Sequence, residues 1–149
     1  MSRKRVIVGL LSFALSFCSL QAAKADNTVS FTGFFAVTNP CNGETASGPI
    51  EIFIVVSSTD TGGGTTLVNV HHSSHASLTG DQGNVYQVSR FAMAQFDALA
   101  NHYDVPWTGV FIGKGGAPNF TATGTLRVFV NSQNEPIGSM LLSITATCS

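Results

Sequence analysis

The chain has 149 residues, with seven Lys and Arg, eight Asp and Glu, and a formal net charge of −1. Arg3, Lys4, Arg5 and Lys24 fall in the first 25 residues, so residues 26–149 keep three cations against eight acids, a net charge of −5. That balance excludes a basic nucleic-acid surface and disfavours binding to an anionic membrane. The remaining 149 − 25 = 124 residues suffice for one domain with a core and are too few for two.

Residues 1–25 read as an export signal. Met1 to Arg5 is basic, Val6 to Leu20 is apolar, and Ala23-Lys24-Ala25 is a small-x-small cleavage pattern before Asp26. The apolar run is shorter than the ~20 residues a membrane-crossing helix needs, and no second run of that length follows. No transmembrane segment is therefore expected once the signal is removed. Two other readings of this region are an uncleaved anchor and a lipoprotein acylated on Cys18; Phe17 argues against the second. Export places the chain in the periplasm or outside the cell. Loss of Cys18 with the signal leaves Cys41 and Cys148, an even pair that favours a disulfide.

From Asp26 on, the domain alternates like strands. Val29, Phe31, Gly33, Phe35 and Val37 share one face of a first strand that Asn39-Pro40 ends. Ile50, Ile52, Ile54 and Val56 form the apolar face of a second. Asp60-Thr61-Gly62-Gly63-Gly64 turns the chain into a third, from about Thr65 to Leu78. There Val68, Val70, His72, Ala76 and Leu78 face one way, and Asn69, His71, Ser73, His75 and Ser77 the other. Gly80 to Gly83 is a turn before a strand from Val85 to Met93. Periodicity weakens over 94–107, where a short helix and an irregular edge strand both fit, and Asp104 to Trp107 reads as a loop or the start of a strand. Val110 and Ile112 open a strand that the turn Gly113 to Pro118 interrupts. Phe120 to Val130 alternates clearly, Asn131 to Pro136 is a hairpin loop, and Met140, Leu142, Ile144, Ala146 and Cys148 share the last face.

Seven to eight short strands with no crossover helices predict an all-β fold, a single antiparallel β-sandwich or β-barrel. The domain organisation is thus a signal peptide over 1–25 and one all-β domain over 26–149.

Several residue groups invite a chemical reading. His71, His72 and His75 suggest a metal site, but neighbours on a strand face opposite ways, and His71 and His75 are ~13 Å apart along one face. They cannot share one ion without a bulge, although either could join His102, Asp97 or Asp104. The bland alternative is a polar, half-exposed sheet face with His72 packed inside. Glu44 with Glu51, or Asp97 with Asp104, could supply a carboxylate pair, and otherwise are ordinary surface charges. No Gly-x-Ser-x-Gly elbow marks a hydrolase, and Gly113-Lys114-Gly115-Gly116 lacks the rest of a phosphate loop. Asn119-Phe120-Thr121 matches a glycosylation acceptor. Phe34, Phe53, Phe111 and Phe129 lie opposite their strands' main apolar rows, which allows a lined interior, a self-association surface, or scattered cross-strand packing.

The stretch Thr38-Asn39-Pro40-Cys41-Asn42-Gly43-Glu44, with Val70-His71-His72, Leu78-Thr79-Gly80, Gly83-Asn84-Val85-Tyr86, Ile112-Gly113-Lys114-Gly115, Asn119-Phe120 and Thr147-Cys148-Ser149, resembles a family of small exported bacterial proteins. The resemblance spans most of 26–149 and implies an all-β secreted domain with one disulfide between its two ends. It implies no activity. Two functions follow: a non-enzymatic exported domain binding a ligand or partner through a sheet face, barrel mouth or loops, or a small extracytoplasmic enzyme or metal-binding protein using the His71/His75 region. Binding candidates are His71, His75, His102 and Asp104; no cofactor or resident metal is expected, and the ligand or partner is open.

Overall fold

A computed structural model describes residues 28–149; the segment read as an export signal, 1–25, and its expected cleavage point lie outside the described residues. Seven strands follow one another in chain order: β1 (Thr28–Thr38), β2 (Thr45–Asp60), β3 (Thr66–Gly80), β4 (Val85–Phe96), β5 (His102–Gly113), β6 (Phe120–Val130) and β7 (Pro136–Cys148). All pairs are antiparallel, and the spatial order repeats the sequence order. The sheet is strongly curled into a half-barrel. Its concave face carries Ile50, Ile54, Val70, Leu78, Tyr86, Phe111, Phe120 and Val128, all buried. The alternation of apolar and polar positions puts that row inside and the other out, so one sheet encloses a core without a second layer.

Seven is an odd number of strands, so β1 and β7 run parallel where they meet. They approach each other without a ladder of their own among the described residues. The Cys41–Cys148 disulfide joins them instead, across 107 residues and a Cα–Cα distance of 5.3 Å. It lies at the end of the barrel that also holds the β1–β2, β3–β4 and β5–β6 turns.

Glu44 organises that end. It is fully buried and accepts five hydrogen bonds: from Tyr86 Oη at 2.7 Å, Asn84 Nδ2 at 2.8 Å, the backbone N–H of Gln82 at 3.1 Å and of Asn84 at 3.2 Å, and Asn42 Nδ2 at 3.3 Å. Burial works against its ionisation. The bonds from Tyr86, Asn84 and the two backbone groups outweigh it and hold the carboxyl down at about 2. A Cβ on Gly80 would collide with this carboxylate, so the hairpin can close over it only with glycine there. Asn39 donates to Tyr86 Oη at 3.1 Å and to the Pro118 carbonyl at 2.9 Å, and Gly43 turns the chain at φ 78°. The Asn-Pro-Cys-x-Gly-Glu stretch is therefore a plug that ties four strand ends together.

Three local expectations change. Residues 97–101 form neither a short helix nor an edge strand, and β5 begins at His102, not at Val110. Phe111 is not opposite the apolar row. It is buried in the core, stacked on Phe120 at 4.4 Å, while Val110 and Ile112 are 43% and 44% exposed. β7 does not alternate straight through: Thr125 pairs Ser143 but Leu126 pairs Leu141, and this bulge lets both Ile144 and Leu141 pack on the core.

Candidate functional site

The outer face holds most of the histidines. His71 and His75 are exposed there, in register with Val55 and Met93 and with Glu51 and Ser89 respectively. His75 lies in a shallow trough beside Glu51, Gln87, Val110 and Ile112. His102 and Asp104 stand two strands further round. They line a shallow recess with Asp97 and Phe96, where His102 Nδ1 is 2.6 Å from Asn101 Oδ1. Asp104 accepts two bonds from Arg127, at 2.7 and 2.8 Å, and this guanidinium lowers its carboxyl from the ordinary range. The four histidine and aspartate candidates thus divide between two places, and Glu44 and Glu51 are separated by the sheet. Among the described residues no three His, Cys, Asp or Glu side chains assemble as a metal site.

The inner face is chemically less ordinary. The register defines one ring of inward positions around the half-barrel: Phe31, Ile52, Ser74, Arg90, Gly109, Ala122 and Ala146. Arg90 is fourth of the seven, midway along the sheet between β1 and β7. It is 6% exposed. Its guanidinium lies 4.6 Å from the Phe35 ring centroid and 5.1 Å from that of Trp107, and Nε donates to Ser74 Oγ at 2.8 Å. Small neighbours make the room: a Cβ on Gly109 would come within 3.0 Å of both Arg90 Cγ and Trp107 Cζ3. Among the described residues Asp104–Arg127 is the one ion pair, so Arg90 faces no carboxylate. Burial lowers its pKa to about 10.

Two further groups share this face. His72, two residues before Ser74 on β3, is 1% exposed, and its Nδ1 has no hydrogen-bond partner among the described residues. Burial, then the field of Arg90, lowers its pKa to about 4. The imidazole is neutral at neutral pH. Trp107 is 2% exposed and its Nε1–H is likewise unpartnered among the described residues. A buried donor without a partner costs about 1–3 kcal/mol, and a buried charge more. The third such atom, Asn134 Nδ2, lies at the opposite end, where Tyr103 Oη donates to Asn134 Oδ1 at 2.9 Å.

Sequence reading placed His72 inside but did not single out Arg90 or Trp107. Arg90 looked like one polar residue on a fourth strand, and nothing local distinguishes it. Its alternation with Tyr86 and Val88, both inward, was the available signal.

No protein-family model, curated protein or solved structure matches this chain. What it does is therefore argued from the site alone.

Proposed function

We propose that residues 26–149 form an exported, non-enzymatic β domain that binds a small ligand on the concave face of its curled sheet. The observation that carries this reading is the placement of Arg90 on that face with no carboxylate opposite it among the described residues, together with two buried side-chain nitrogens on the same face that also lack partners there. Protein interiors rarely hold unpaired polar groups, and binding surfaces are where they recur. Export to the periplasm or beyond rests on the basic and apolar leader over 1–25. The disulfide and the lack of any membrane-crossing helix among the described residues are compatible with it. Likeness to small exported bacterial proteins through the Asn39-Pro40-Cys41-Asn42-Gly43-Glu44 segment belongs to the same proposal, as does the absence of nucleic acid among its partners, which rests on the net charge of −5.

The alternative, a small enzyme or metal-binding protein centred on His71 and His75, needs side chains that converge. Those two lie four positions apart on an open outer face, away from Asp104 and His102.

Native mass spectrometry of the protein isolated without denaturation tests the proposal. A stoichiometric adduct that organic extraction removes is expected, with a change in Trp107 fluorescence on removal. No adduct, together with no response of Trp107 to small amphiphiles, contradicts it.

A further inference from the structure

β1 and β7 are the two edges of the sheet that do not pair with each other, and the register says what faces the gap in pairing between them. β1 and β7 border the gap with Val29 and Phe31 on one side and Leu141 and Ile144 on the other, all half-buried and apolar. Arg90 is rooted at the middle of the same ring, and its guanidinium reaches to within 4.6 Å of the ring of Phe35 on β1. A molecule entering between the first and last strands meets an apolar rim with a cation beside it. The unpartnered His72 Nδ1 and Trp107 Nε1 lie on the same inner face, and both belong to side chains more than nine-tenths buried.

We infer that this face takes an amphiphile with one carboxylate, its head group on Arg90 and its apolar body along the β1–β7 gap. The inference rests on the concave-face reading above and adds the chemistry of the ligand. A guanidinium offers a planar fork that matches a carboxylate, and Nε is already committed to Ser74, leaving the two terminal nitrogens for the ligand. The Trp107 indole N–H donates only, and a neutral His72 ring donates from Nδ1 in one tautomer, so both suit an acceptor-only head group. The site holds a single positive charge, since burial and Arg90 keep His72 neutral. One charge balances a monoanion and leaves a dianion such as a phosphate monoester half uncompensated.

Trp107 is the one tryptophan in the sequence, so intrinsic fluorescence reads this site without a label. Decanoate, 1-decanol and decylamine, titrated separately into the protein, share a tail and differ in head group. Decanoate is expected to give a saturable change and to bind at least about tenfold more tightly than the alcohol, the usual minimum for a charge-assisted pair. Decylamine should bind most weakly. Arg90→Met, with its fold checked by circular dichroism, should remove the preference for decanoate while leaving decanol binding within a few-fold. Equal binding of all three probes to the unaltered protein overturns the carboxylate assignment and leaves the concave-face reading standing; this arm does not depend on the variant folding. No saturation by any probe, in a protein that still carries an extractable adduct, also overturns the assignment alone. No saturation and no adduct overturn both.

Discussion

Tyr86 donates its hydroxyl hydrogen to Glu44 across 2.7 Å, and through that bond the inner face of β4 is fastened to the start of β2 at the closed end of the barrel. The same tyrosine accepts from Asn39 and packs edge-on against Phe120 at 5.6 Å. One end of the half-barrel is thus tied, and the groups proposed to bind a ligand lie further along the same inner surface.

The Glu44 carboxylate makes stability depend on acid. Its pKa is about 2 in the folded chain against an ordinary 4.5. Between those values the unfolded chain takes up a proton and the folded one does not. The stabilisation is complete above about pH 4.5 and is lost as pH falls toward 2. Glu44→Gln should lower stability at neutral pH and flatten the curve in that window, measured by urea unfolding at a series of pH values. A variant curve as steep as the parent's would contradict it.

His72 acts in a separate window. Its pKa is about 4 when folded and 6.5 ordinarily, so protonation again favours the unfolded chain. Stability should be full above about pH 6.5, decline as pH falls to about 4, and change no further on this group's account below that. His72→Leu should flatten the decline between 6.5 and 4 and leave the lower window to Glu44. Thermal melts at pH 7, 5 and 3.5 separate the two.

Reducing the Cys41–Cys148 disulfide, or replacing both cysteines by alanine, should cost about 2–5 kcal/mol, because no ladder takes over between β1 and β7. Thiol counting on the denatured, unreduced protein should find no free thiol in residues 26–149. Two free thiols would remove the clamp.

Gly80→Ala should cost about 1–3 kcal/mol through its collision with the Glu44 carboxylate. In the Glu44→Ala background the same substitution should cost much less, since the atoms it meets are gone. Equal costs in both backgrounds, by chemical denaturation, would show that the close approach is not what fixes glycine there.

β1, β2, β3 and β6 were legible because each carries an unbroken inward row of alternating positions, even where Phe34, Phe53 and Phe129 add apolar side chains to the other face. β5 was not. Val110 and Ile112 are apolar but point outward, Gly109 blanks the inner row, and Pro106 argues against a central strand. The proline is tolerated because pairing with β4 stops at Phe91 and Thr108, so β5 has a single partner there, β6. Ring contact between Phe96 and Tyr103 at 4.8 Å fills the space between the diverging strands. Phe111 was assigned to the wrong face by the same shift of one residue. The disulfide was readable from cysteine parity alone. Arg90 and Trp107 were not readable as a site, because their meeting depends on the register of β4 with β5 and on Gly109 between them. Glu44 was read as half of a carboxylate pair with Glu51 or as an ordinary surface charge; only the turn that buries it distinguishes it from Glu51.

The central claim, that the inner face around Arg90 is the binding surface, is tested most directly by two-dimensional NMR of the isotopically labelled protein during a decanoate titration. The single indole N–H signal of Trp107 and the amides of Ser74, Arg90 and Gly109 should shift together and saturate, while those of His71, His75 and Asp104 on the outside stay in place. Shifts confined to the outer histidines and the recess beside Asp104, with the indole signal unmoved, would contradict it.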